Sequence, residues 1–141
     1  MRKTDKITHW KQFISKIRPK KDALLKNIDC YDNSVLVTGC QRSGTTILSR
    51  IIAQSEGMTN YFRDIDDELE AALILSGYKQ LPPTGRYCFQ TTYLNENYYE
   101  YFNIGESHKI IWVLRNPYSV ICSMLHNWRN YALNEDRKSV V

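Results

Sequence analysis

Ser34-Val-Leu-Val-Thr-Gly-Cys-Gln-Arg-Ser-Gly-Thr-Thr-Ile-Leu48 is the stretch that decides the fold. Ser34 to Thr38 is a β-branched run of the length expected for a strand buried on both faces. Gly39 to Thr46 is a polar loop punctuated by glycine. Ile47, Leu48, Ile51 and Ile52 then recur at helical spacing over residues 46–54, and Gly57 marks the helix end. A glycine, four residues, a second glycine and a hydroxyl at the helix start is the spacing of a phosphate-binding loop. In such a loop the N–H groups from Arg42 to Thr46 converge on one point, and the positive end of the helix dipole adds to them. Gly39 and Gly44 allow a close approach that a Cβ would forbid. The hydroxyls of Ser43, Thr45 and Thr46 can donate to phosphate oxygens. Nucleotide hydrolases place a lysine after the second glycine, where this chain has Thr45. Triphosphate and magnesium chemistry thereby loses its main cation. Arg42 supplies the charge inside the loop instead, which suits a nucleotide whose 5′ end carries less charge than a triphosphate.

A second constellation lies some seventy residues downstream. Lys109-Ile-Ile-Trp-Val-Leu114 is apolar on both faces and reads as an inner strand of a parallel sheet. Arg115 follows it directly. Asn116 then caps a helix whose first position is Pro117, where the missing N–H costs nothing. That helix is expected to run to about Tyr131 and to bury Val120, Ile121, Met124, Leu125 and Trp128. It carries Ser123 eight residues after Arg115. Ligands of open parallel sheets bind at the C-terminal ends of strands. The strands ending at Thr38 and Leu114 are therefore expected to present Arg42, Arg115 and Ser123 to one crevice, with Arg115 as a bidentate clamp on a second phosphate.

Between these motifs the pattern predicts short strands over 58–62 and 87–91, a helix over 66–76 and a tyrosine-rich helix over 95–102. Strand and helix alternate, so the fold class is α/β: a parallel sheet with flanking helices and a phosphate-loop architecture. Residues 1–29 hold nine Lys or Arg against three Asp, whereas the rest of the chain holds ten against twelve Asp or Glu. This basic leader is read as helical, with Ile7, Trp10, Phe13, Ile14 and Ile17 on one stripe; attraction to nucleic acid or an anionic membrane is the alternative. The main domain is then 30–141. Cys30, Cys40, Cys88 and Cys122 have neither zinc-ligand nor secreted-scaffold spacing and are expected to be reduced and mostly buried. No signal-peptide core or membrane-length apolar run is present, so the expected location is cytoplasmic.

Arg42-Ser-Gly-Thr-Thr46 and Arg115-Asn-Pro-Tyr-Ser-Val-Ile-Cys-Ser123 together resemble the sulfotransferase superfamily, whose donor is 3′-phosphoadenosine 5′-phosphosulfate. The resemblance covers roughly residues 34–131. It implies that Arg42, Ser43, Gly44, Thr45 and Thr46 hold the 5′ phosphosulfate, and that Arg115 and Ser123 hold the 3′ phosphate. It also implies sulfuryl transfer, without metal, to a hydroxyl or amine on a small-molecule or carbohydrate acceptor, with no nucleic-acid partner. Arg42 would stabilise the charge on the bridging oxygen. Relatives often use a histidine or a glutamate as base, but His108 precedes its strand and so falls at the wrong edge. The acids Asp64, Asp66, Asp67 and Glu68 begin at the ligand edge, with Asp64 the first choice of base and Asp66 the second. Two departures stand out. Relatives carry a lysine at the end of the third strand, where this chain has Gln90-Thr91-Thr92, and a glycine-rich basic C-terminal segment that is not found before Val141. The rival readings are a phosphate-loop kinase or NTPase and a donor-binding domain without catalysis.

Overall fold

In a computed structural model the chain is described over residues 7–17, 23–62 and 66–127. The elements run α1 (Trp10–Ile17), a 3-10 turn (Ile28–Cys30), β1 (Val35–Gly39), α2 (Thr45–Ala53) and α3 (Asp67–Leu75). They continue as β2 (Cys88–Gln90), a 3-10 segment (Thr92–Asn103), β3 (Lys109–Val113) and α4 (Pro117–Asn127). The sheet is wholly parallel in the order β2-β1-β3. Val37 pairs with Gln90 on one side and Ile111 on the other, so all three strands end at the same edge. This is the α/β architecture that the alternating pattern predicts.

β1 is buried along its whole length because it is central, and its Val and Leu side chains contact both layers. On one face Leu36 joins a core of Phe13, Ile28, Tyr31, Leu69, Ile74, Tyr87, Phe89 and Leu94. On the other, Val35 and Val37 meet Ala53 and Cys88, with Leu48 and Ile52 packed against them. The larger core is rich in tyrosine, and two of its hydroxyls have backbone acceptors. The Tyr87 hydroxyl donates to the Pro82 carbonyl at 2.7 Å, and Tyr101 donates to the Thr91 carbonyl at 3.0 Å. Part of the basic leader belongs to this core: Phe13 is buried within it, and Ile7, Trp10 and Ile17 pack against it.

Several expectations need correction. Residues 58–62 form no strand; Thr59 N–H donates to the Arg86 carbonyl, and the segment otherwise runs irregularly. The tyrosine-rich segment is 3-10 rather than α-helical and kinks at Asn97. β3 is an edge strand among the described residues, with Ile110 and Trp112 exposed, rather than an inner one. Ile47 and Ile51 of α2 are 69% and 60% exposed, because the helix turns Thr45, Ser49 and Ala53 inward instead. On α4 Val120 is buried, but Ile121 and Leu125 are exposed; Trp128 lies outside the described residues. The cysteines are free, but only Cys88 is buried.

Gly39 ends β1 with φ 145°, and a Cβ there would run into the backbone carbonyl oxygen of Val113 on β3. Gly44, at φ 97°, has open space around it, so its requirement is conformational only. Gly39→Ala should therefore cost ~2–4 kcal/mol in denaturant unfolding, and Gly44→Ala only ~1 kcal/mol. A cost at Gly39 no larger than that at Gly44 would contradict the close approach. Burial pushes the Cys88 thiol up to about 12. An alkylating reagent near neutral pH should accordingly modify Cys30, Cys40 and Cys122 and spare Cys88 until the protein is unfolded. Mass mapping of the modified peptides checks this.

Candidate functional site

Three strand ends and one helix start meet in a cleft of about 470 Å³. Its lining includes Arg42, Gly44, Thr45 and Thr46 from the loop after β1, Gln90 from β2, Arg115 from the end of β3 and Ser123 from α4. Asp66, Asp67 and Glu68 add an acidic wall. The volume falls in the range of small-molecule sites, ~300–1,000 Å³.

The loop is shaped from both sides. Asn95 donates from its amide to the Gly39 carbonyl at 2.8 Å and accepts from the Thr38 hydroxyl at 3.2 Å, so it holds the point where the chain leaves the sheet. Arg42 sits in the left-handed region at φ 68°, a conformation that a non-glycine residue keeps only where its surroundings impose it. Arg115 supplies part of that constraint. Its guanidinium donates to the Arg42 carbonyl at 2.9 Å, while Arg42 Nε donates to Ser123 Oγ at 3.1 Å. The two motifs, 73 residues apart in sequence, are thus in direct contact. Asn116 caps α4 as expected, its Oδ1 accepting from Tyr118 N–H at 2.9 Å.

Gly44 opens α2 with no side-chain cap, so the first amides of that helix are available to a ligand. Ser43 does not line the cleft. Its hydroxyl is buried and has no hydrogen-bond partner in the protein, an uncommon state that invites an acceptor from outside it. Thr45 is buried and accepts from Gln90 Nε2 at 3.2 Å, and Thr46 is exposed at the rim.

On the acidic wall, Asp66 is the N-cap of α3. Its Oδ1 accepts from Glu68 N–H and Leu69 N–H, each at 3.1 Å, and its Oδ2 accepts from Trp10 Nε1 at 2.8 Å. Asp67 pairs with Arg50 at 2.6 Å, and that hydrogen bond raises the Arg50 pKa above its ordinary value. Glu68 is buried and accepts from the Thr92 hydroxyl. Asp64 lies outside the described residues. His108 is buried at the far edge of the sheet with Nε2 3.6 Å from Asp29, and His126 is exposed on α4; neither lines the cleft.

Arg50 and Asn95 are residues that the sequence reading misses. Arg50 was open to discovery, because it lies one helical turn beyond Thr46 and therefore on the same face. Asn95 gave no local signal, since its two bonds reach back 56 and 57 residues. Among the described residues no group of three His, Cys, Asp or Glu side chains is disposed to hold a metal, and no helix is long and apolar enough to cross a membrane.

No curated protein and no solved structure matches the chain. The family model of the sulfotransferase domain does, over residues 32–141, which takes in both strand-end motifs and the whole cleft between them. The chain therefore belongs to the sulfotransferase family, and its activity is that of a transferase moving sulfuryl groups.

Proposed function

We propose that the cleft binds 3′-phosphoadenosine 5′-phosphosulfate and passes its sulfuryl group to a hydroxyl or amine of a small-molecule or carbohydrate acceptor. The observation that carries this reading is the direct contact of Arg42 with Arg115 and Ser123, which brings two anion-binding strand ends to one place. Arg42, the α2 amides and the hydroxyls of Ser43, Thr45 and Thr46 take the 5′ end. Arg115 and Ser123 take the 3′ phosphate. The partnerless Ser43 hydroxyl and the uncapped helix start both fit an anion in the loop. Four free cysteines are in keeping with a cytoplasmic, reducing location.

In the reaction the acceptor oxygen or nitrogen bonds to sulfur as the bond from sulfur to the bridging phosphate oxygen breaks. The 3′,5′-bisphosphate leaves with the electron pair. Arg42 and the loop N–H groups face the charge that grows on that bridging oxygen. A carboxylate of the 64–68 cluster takes the acceptor's proton. Asp64 is the first assignment. Asp66 is second, because three N–H donors already occupy its oxygens. Glu68, on the same wall, is third.

Arg115→Ala should weaken binding of adenosine 3′,5′-bisphosphate by ~1.5–3 kcal/mol, the scale of a charge-assisted hydrogen bond. Adenosine 5′-phosphosulfate, which has no 3′ phosphate, should lose less in titration calorimetry, only what the loop loses with the Arg115–Arg42 bond. Equal losses for the two ligands would remove Arg115 from the 3′ site, and a preference of the parent for ATP with magnesium would overturn the donor assignment.

Replacing the base by its amide should lower kcat by ~10²–10⁴-fold with little change in donor affinity. Asp64→Asn, Asp66→Asn and Glu68→Gln, compared in sulfate transfer from labelled donor, identify it. If all three turn over as the parent does, the base is not a carboxylate of this cluster.

A further inference from the structure

Gln90 stands at the C-terminal end of β2, where the sulfotransferase resemblance leads one to expect a cation. Its backbone is fixed by pairing with Val37 of the central strand, and its side chain is buried. Its Nε2 donates at 3.2 Å to Oγ1 of Thr45, the first residue of α2, which is also buried. Both residues line the cleft.

A threonine hydroxyl has one proton and two lone pairs. When an amide N–H occupies a lone pair, the hydroxyl proton is left to point elsewhere. Among the described residues no acceptor takes the Thr45 proton, and the cleft is the open direction. We propose that Gln90 is a positioning residue: it orients the Thr45 hydroxyl as a donor into the cleft and thereby sets the affinity of the loop for the 5′ end of the donor nucleotide. This rests on the donor reading given above. Gln90 adds no charge. Its effect is directional, since a hydroxyl held in its donating orientation loses no rotational freedom when an anionic oxygen arrives. A residue that only accepts would take the proton from Thr45 and turn an oxygen lone pair toward the anion instead.

Two ligands and a double-mutant cycle test the assignment. Adenosine 3′,5′-bisphosphate carries the 5′ group and adenosine 3′-monophosphate does not. Gln90→Met keeps the length and apolar stem but cannot donate; it should weaken bisphosphate binding about tenfold and leave the 3′-monophosphate unaffected. Thr45→Val should give a similar loss, and Gln90→Met/Thr45→Val no more than Thr45→Val alone. Gln90→Lys, which still donates, should bind the bisphosphate at least as well as the parent. If Gln90→Met is too unstable to titrate, Gln90→Lys and Gln90→Glu decide: affinity kept by lysine and lost by at least a hundredfold with glutamate supports the proposal, and any other order overturns it. Equal losses for both ligands, additive losses in the cycle, or parent-like binding by Gln90→Met also overturn it. Parent protein that binds neither ligand would instead refute the donor reading itself.

Discussion

The backbone of β1 and the backbone of β3 come together at Gly39 and Val113 more closely than any side chain would allow. Everything at the cleft follows from that approach. Because β3 runs alongside β1 to its last residue, Arg115 leaves the sheet next to the loop that begins at Cys40. Its guanidinium is then within hydrogen-bond reach of the Arg42 carbonyl, and α4 folds back to set Ser123 against the Arg42 side chain. The loop conformation is thus a property of strand packing as much as of its own sequence.

A second layer of constraint comes from buried polar groups. Asn95, Gln90 and Thr92 all sit just beyond or within the end of β2, and each reaches a different neighbour: the Gly39 carbonyl, the Thr45 hydroxyl and the Glu68 carboxylate. Buried polar groups must be satisfied, so these bonds specify one arrangement among the alternatives that apolar packing alone would tolerate. The short β2 strand and its 3-10 continuation act as a hub linking the loop after β1 to the acidic residues at the start of α3.

The sequence was legible where local chemistry and tertiary structure agree. The run from Ser34 to Thr46, the Asn116-Pro117 helix start and the Arg115–Ser123 spacing follow local rules, and the structure has the strand, the helix cap and the meeting of Arg115 and Ser123 with Arg42. Asp66, read as an acid at a helix start, is indeed its cap. Local pattern failed where neighbours decide. The apolar stripe of α2 divides: Leu48 and Ile52 pack against β1 beside Ala53, whereas Ile47 and Ile51 are exposed because Thr45 and Ser49 turn inward. Residues 58–62 have strand-like composition but lack a partner strand. The 92–103 segment buries Tyr93 and Tyr101 and leaves Tyr98 and Tyr99 exposed, along a 3-10 path kinked at Asn97. Asp64 and Trp128 lie outside the described residues.

The two walls of the cleft have a kinetic consequence. Among the described residues that line it, Arg42, Arg50 and Arg115 are matched in number by Asp66, Asp67 and Glu68, so their formal charges cancel. An anion approaching from solvent meets a surface of mixed charge rather than a positive basin. Beyond about one Debye length, ~8–10 Å at ordinary ionic strength, it feels little pull toward the site. Encounter is therefore governed by diffusion and orientation, with little of the salt-sensitive acceleration seen at one-signed clefts. Recognition is deferred to contact, where Arg42 and Arg115 stand together at the loop after β1 while Arg50 is held by Asp67. An anion that enters turned the wrong way is repelled at short range, so the same residues that forgo long-range capture sort ligands by orientation.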